Sequence, residues 1–425
     1  MSRVEGKIPL IVLWVLLVPS LLAETYPAPL ADTVLYSVFV RNYSETGTLK
    51  AVEERLPELE DLGANALWLM PLHPIGEVKR VGAEGSPYSV RDFRAVHSGL
   101  GSREDLASLA AAAHARGMKL LIDLVPDHCA WDNAYVAEHP DWFMKDEHGN
   151  PRPPIPAWGD VVQFDYGQPS VRAEMTSIMR YWPSQCGIDG YRVDVAGMVP
   201  GDFWRESIPA LRASVTGLVM LAEATGREMH EQGFDLTYDM DLRNLLVQVC
   251  RGERPASDVA KHLEYVRDHY APGALLMRYT ENHDIDRTAA VFPGGSARAA
   301  AALVFSLPGV PMIYTGQEIG MARKPDLFGK DPVPWGNGDE DLRAFYKKLI
   351  QERRDQPSLR YGALAIVGNS SADRVLSFTR SLDGETTLAV FNLSDQAVVV
   401  TLDDPGTEHG EPVSLGPWAY SMLTR

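Results

Sequence analysis

Short apolar runs rich in β-branched residues alternate along this chain with longer stretches whose apolar positions recur at helical spacing. That is the rhythm of a βα repeat building a parallel sheet. The strand-like runs are Val34–Val40, Ala66–Met70, Leu120–Val125, Gly190–Val195, Leu218–Ala222, Phe234–Tyr238, Leu275–Tyr279 and Val310–Tyr314. Eight such runs suffice to close a (β/α)8, or TIM, barrel of the α/β class. Helical patterns between them cover Val52–Leu62, Arg103–Arg116, Ser170–Trp182, Asp241–Arg251 and Ala297–Leu307. The second predicts its own ends: Ser102 caps it, Glu104 and Asp105 occupy the first turn, and Gly117 stops it.

Three segments depart from the rhythm. Arg3 and Lys7 precede an uncharged apolar run, Ile8–Ala23, that is shorter than the ~20 residues of a membrane-spanning helix. With Ala23 ahead of Glu24, this predicts a signal peptide over residues 1–23 and an exported protein, periplasmic or secreted. An uncleaved membrane anchor is the alternative, because Leu21 fits a small-residue cleavage rule poorly. Residues 129–162 have little periodicity and predict a small inserted subdomain after the third strand. Beyond a last amphipathic helix, Asp341–Gln356, apolar and polar residues alternate over Val375–Thr379, Thr386–Asn392 and Ala397–Leu402, with turn signals between them. This predicts a C-terminal antiparallel β-sandwich domain over 359–425, docked on a catalytic barrel spanning 31–358.

Composition narrows the partners. Across 425 residues, 45% hydrophobic and 23% charged is globular composition and excludes a disordered chain or a polytopic membrane protein. The formal net charge of -17 repels nucleic-acid phosphates and anionic lipid, so no nucleic acid and no stable membrane partner is expected. A neutral ligand is unaffected, and 9 Trp with 16 Tyr offer flat amphipathic faces on which sugar rings stack. Cys129, Cys186 and Cys250 form no C-x-x-C pair and read as small buried apolar side chains.

In a barrel of this kind the active site lies at the carboxyl ends of the strands. There the third run reads LIDLVPDH (Asp123, Asp127, His128), the fourth DGYRVDV (Arg192, Asp194), the fifth MLAEA (Glu223) and the seventh RYTENHD (Glu281, Asn282, His283, Asp284). Carboxylates set in apolar strands must be paired or hydrogen-bonded. A structural ion pair accounts for Asp194 and Arg192, which share a strand face, but not for Glu223 and Asp284 at other strand ends. Three clustered carboxylates and one arginine suit glycoside hydrolysis. One carboxylate attacks the anomeric carbon, and a second, protonated, hands a proton to the leaving oxygen.

These segments resemble, in order, the short regions that mark the α-amylase family of glycoside hydrolases: DLVPDH, GYRVD, the Glu223 strand and ENHD, with SPYSVRDF before and GVPMIYTGQEIGM after. The likeness runs over the chain from Thr33 onward. It implies Asp194 as nucleophile, Glu223 as general acid and then base, and Asp284 as the carboxylate that distorts the sugar and steadies the transition state. It also implies substrate-binding roles for Arg192, for His128 and His283 toward ring hydroxyls, and for Tyr88 as a stacking face. Glu223 facing two aspartates is expected to keep its proton, and Asp194 beside Arg192 to stay ionised. The chain departs from the family where Ala196, Gly197 and Met198 replace the Lys and His of calcium-binding amylases, and where Asp127 replaces a calcium-binding Asn. Asp127 is left as an oxygen donor toward a structural calcium. The chemistry itself requires no cofactor, and no metal ligand is assigned.

The expectation is a retaining α-glucan hydrolase that cleaves α-1,4 bonds of starch or maltooligosaccharides through a glycosyl-enzyme on Asp194. The alternative is an α-glucan transglycosylase or α-glucoside isomerase working through the same intermediate. A non-catalytic partner, like the heavy chains of amino-acid transporters, is disfavoured because all three carboxylates are kept.

Overall fold

The computed structural model describes residues 30–403 and 412–425; the leader expected over residues 1–23 lies outside them. Eight parallel strands close a barrel: β1 (Leu35–Val38), β2 (Ala66–Leu69), β3 (Lys119–Leu124), β4 (Gly190–Val193), β5 (Val219–Ala222), β6 (Leu236–Tyr238), β7 (Leu275–Arg278) and β8 (Val310–Tyr314). Closure is direct, since Leu35 is in register with Ala66 of β2 on one side and Met312 of β8 on the other. All eight expected strands are present.

The two-residue period of each strand sorts the core into two layers. Leu35, Trp68, Leu121, Leu221, Met277 and Met312 fill the barrel interior, whereas Tyr36, Leu67, Ile122, Tyr191 and Val193 face the surrounding helices. The same alternation turns Asp123, Arg192 and Asp194 inward. Gly190 opens β4 because a Cβ there would stand 2.0 Å from the Val219 carbonyl oxygen.

Helix Arg103–His114 begins with a reciprocal capping box between Ser102 and Asp105, as its sequence predicts. The helix expected over Val52–Leu62 is instead two, Leu49–Glu54 and Leu56–Leu62; Pro57, which lacks an N–H, sits at the start of the second. Helices Gly201–Arg212 and Ser257–His269 were not anticipated. The first contains Pro209, which interrupts its pattern. Among the described residues, no helix is long and apolar enough to cross a membrane.

The segment after β3 forms a two-stranded ribbon, His128–Ala130 with Val161–Gln163. Its Trp142, Phe143, Val162 and Phe164 sink into the barrel's outer core, which anchors the loop over the mouth. The C-terminal part has a four-stranded antiparallel sheet of β9 (Ala363–Ile366), β10 (Val375–Leu382), β11 (Glu385–Asn392) and β14 (Tyr420–Thr424). A second sheet pairs β12 (Val398–Val400) with β13 (Val413–Leu415). Val375, Leu388, Val390, Val398, Val400 and Leu415 pack together as the sandwich interior. Asp383 and Gly384, both at positive φ, make the tight turn between β10 and β11. The three cysteines are buried and unpaired.

At the amino-terminal end of the barrel, helix Glu340–Asp355 inserts the fully buried Arg353. Its guanidinium donates to the carbonyls of Phe305, Leu307, Leu359 and Gly309 at 2.7 to 3.0 Å.

Candidate active site

The parallel ladder carries on through the first two site residues. The Asp194 N–H donates to the Leu124 carbonyl at 2.8 Å, and the Glu223 N–H to the Val193 carbonyl at 2.9 Å. Both carboxylates are therefore set by sheet register, at the ends of β4 and β5. Asp123 stands opposite Arg192 in the β3–β4 register.

Arg192 is fully buried. Its Nη1 donates to both oxygens of Asp123, at 2.8 and 3.0 Å, and to Asp194 Oδ1 at 3.0 Å; its Nε donates to the Tyr238 hydroxyl at 3.1 Å. Nη2 lies 2.7 Å from Glu223 Oε1, an ion contact that lacks the alignment of a hydrogen bond. The rings of Trp68, Tyr88 and Tyr238 lie around the guanidinium at 5.0, 5.7 and 5.8 Å.

Asp194, Glu223, Asp284, Tyr88, His128 and His283 all line one pocket of about 350 Å³, with Arg192 beneath it. The sequence-predicted residues thus converge on a single site. His283 Nε2 is 2.6 Å from the Tyr88 hydroxyl and 3.2 Å from Asp284 Oδ2, and the His283 and Tyr88 rings stack at 18°. His128 packs its ring against Trp158, 5.6 Å away, which the long loop carries into the pocket.

Charge is crowded. Burial pushes the Asp123 carboxyl up to about 7 against the pull of Arg192. Burial likewise raises Asp194, with Glu223 and Asp123 adding to the rise and Arg192 opposing it. Asp194 next to Arg192 was expected simply to stay charged. Burial opposes the pull of Arg192, one guanidinium being shared among three carboxylates. Asp284 is raised by burial too, opposed by Arg192 and Lys324. Burial, then Arg192, drives His283 down to about 3, so its imidazole is neutral at ordinary pH. For Arg192, burial alone would lower the value, but Asp123 and Glu223 more than reverse it.

Val195 is held in the left-handed region at φ 38, rare for a β-branched residue, and its N–H donates to Glu223 Oε2 at 2.9 Å. Such a conformation costs on the order of 1–3 kcal/mol and persists where the surroundings enforce it. The peptide after Asp194 thereby holds Glu223.

Asp127, the oxygen donor considered for a calcium, has both carboxylate oxygens facing protein groups. Its Oδ1 accepts from Gln163 Nε2 at 3.0 Å and its Oδ2 faces His128 Nδ1 at 3.4 Å. Among the described residues, no three His, Cys, Asp or Glu side chains gather to hold a metal. Glu281, flagged at the end of β7, forms a buried ion pair with Arg287. Asp123 was visible at the end of its run but its hold on Arg192 was not, since that contact exists only through the strand register. Trp158, Tyr238 and Phe328 were missed, having no motif to mark them.

The family description of the alpha amylase catalytic domain matches residues 26–361, and that of the maltogenic amylase C-terminal domain matches 367–417. The chain belongs to the α-amylase family of glycoside hydrolases. A crystal structure of the maltogenic alpha-amylase AmyB of Thermotoga neapolitana superposes with a TM-score of 0.84 at 30% identity, covering 93% of this chain and 97% of that one. Alpha-amylase MalA of Haloarcula japonica is 28% identical over 91% of this chain. The Myxococcus xanthus alpha-1,4-glucan:maltose-1-phosphate maltosyltransferase is 28% identical over 82% of it. The chain spans 59% of MalA and 57% of the maltosyltransferase.

Proposed function

We propose that the protein is a retaining α-glucan hydrolase acting on α-1,4 bonds of starch or maltooligosaccharides. The observation that carries the reading is the convergence of Asp194, Glu223 and Asp284, from three strand ends, on one pocket above Arg192. In this reading Asp194 attacks the anomeric carbon while Glu223 protonates the glycosidic oxygen. The leaving chain departs as an alcohol and a glucosyl ester remains on Asp194. Glu223, now anionic, takes a proton from water, which displaces the sugar from Asp194 and restores both groups. Arg192 orients Asp194. Asp284 and the neutral His283, side by side over Tyr88, meet the hydroxyls of the reacting ring.

The test is incubation with maltoheptaose and soluble starch, resolving products and their initial anomer. The expected result is short maltooligosaccharides released as the α-anomer, with Asp194→Asn slower by about 10³-fold or more. Near-normal hydrolysis by that variant removes Asp194 from the nucleophile role. Longer chains formed without matching reducing ends indicate transfer, as the M. xanthus relative's name describes for that enzyme. The proposal includes export, checked by amino-terminal sequencing, with Glu24 as the expected first residue.

A further inference from the structure

The mouth of the barrel is not equally open all round. Over the end of β1, the loop after β2 and the loop after β8 are tied to each other. The Glu84 N–H donates to the Phe328 carbonyl at 2.9 Å, and Arg41, just past β1, donates from Nη1 to the carbonyls of both Gly85 and Leu327 at 3.2 Å. Gly82, at φ 72, lies so close to Phe328 that a Cβ would stand 2.5 Å from the Phe328 Cβ. The two loops are therefore packed backbone to side chain. On the pocket side of this seam stand Val81 and Phe328, apolar yet 45% and 40% exposed.

Where this seam sits decides what it does. In a closed ring of eight strands β5 is diametrically across from β1, and Glu223 follows β5. Glu223 delivers its proton to the oxygen that leaves with the reducing-side part of the chain, so that part lies toward β5. The sugars on the non-reducing side then run the other way, toward β1 and the seam. The pocket volume, about 350 Å³, is at the low end of the ~300–1,000 Å³ range for small-molecule sites.

We propose that the Val81–Phe328 seam is an end wall on the non-reducing side of the cleft, so that the site takes chain ends and releases short products of set length. This rests on the hydrolase reading above and specifies its substrate. The Phe328 ring offers an apolar surface on which a terminal glucose packs, and the tied loops behind it occupy the space a continuing chain would need.

The experiment uses two forms of maltoheptaose, free and with the 4- and 6-hydroxyls of its non-reducing terminal glucose joined by an ethylidene group. Wild-type protein is expected to cleave the blocked form at least about tenfold more slowly than the free one. In Phe328→Ala that gap closes and the longest early product lengthens; Arg41→Ala, which unties the loops, shifts both readouts the same way. Equal wild-type rates on the two substrates overturn the wall whatever the variants do, as does an unchanged gap and product length in a folded Phe328→Ala. Inertness toward both substrates instead sinks the hydrolase reading, and the wall falls with it.

Discussion

Two arginines are buried at opposite ends of the same barrel, and they are handled in opposite ways. Arg192, at the carboxyl end, is surrounded by ionisable groups: Asp123, Asp194, Glu223 and the Tyr238 hydroxyl. Arg353, at the other end, is bonded to backbone carbonyls. Burial and the neighbouring Arg380, Arg360 and Arg278 pull Arg353 down to about 9, still charged at neutral pH, whereas the acids hold Arg192 above its ordinary value. A guanidinium ringed by carbonyl dipoles ties together chain segments that do not titrate. One ringed by carboxylates biases the protonation of the groups proposed to react. On the proposed mechanism the first arrangement serves the fold and the second serves chemistry at some expense of stability.

The comparison is sharpest if each arginine is changed alone. Arg192→Lys keeps the charge but loses the fork that reaches two carboxylates at once, and is expected to lower kcat by about 10³-fold while the protein stays folded. Full turnover in that variant would make Arg192 a structural group like its counterpart. Arg353→Met strips the donors from five carbonyls, Ala31 among them, and is expected to reduce unfolding free energy by about 3 kcal/mol, with kcat/KM unchanged, measured by denaturant titration beside kinetics. A smaller effect concerns pH. The raised carboxyls of Asp123, Asp194 and Asp284 bind protons more tightly in the folded than in the unfolded chain. Their contribution to stability is therefore complete below the unfolded value of ~3.9 and is lost as pH rises through each raised value, about 7 for Asp123. On the proposed mechanism activity needs Asp194 ionised and is expected to rise with pH. Asp194→Asn removes one of the crowded charges and is expected to raise Tm at pH 7 by ~1–3 °C, with a weaker fall of Tm between pH 5 and 8. A lower Tm would mean that Arg192 depends on Asp194 more than on Asp123.

The strands and three carboxylates could be read in the sequence because both leave local signatures: an apolar run marks a strand, and a charge at its end has few other reasons to be there. Contacts made by register do not. Asp123 and Arg192 are far apart in sequence and meet because β3 and β4 are adjacent and in step. The reach of Asp127 to Gln163 likewise depends on how the loop folds back as a ribbon, so the amide partner of this carboxylate has no local signature. The strands β9, β13 and β14 escaped notice because short strands with partly exposed faces carry weak alternation. Phe328 escaped for a different reason, since an exposed aromatic in a loop is unremarkable until its neighbour across the mouth is known.

The left-handed Val195 has a consequence for how this enzyme can change over generations. Its peptide leaves Asp194 on one side and grips Glu223 on the other, so positions 194, 195 and 223 form a single mutational unit. A replacement that lets residue 195 relax to negative φ would turn its N–H away and release Glu223 without touching either carboxylate. This one peptide bond is thus under constraint from two residues at once.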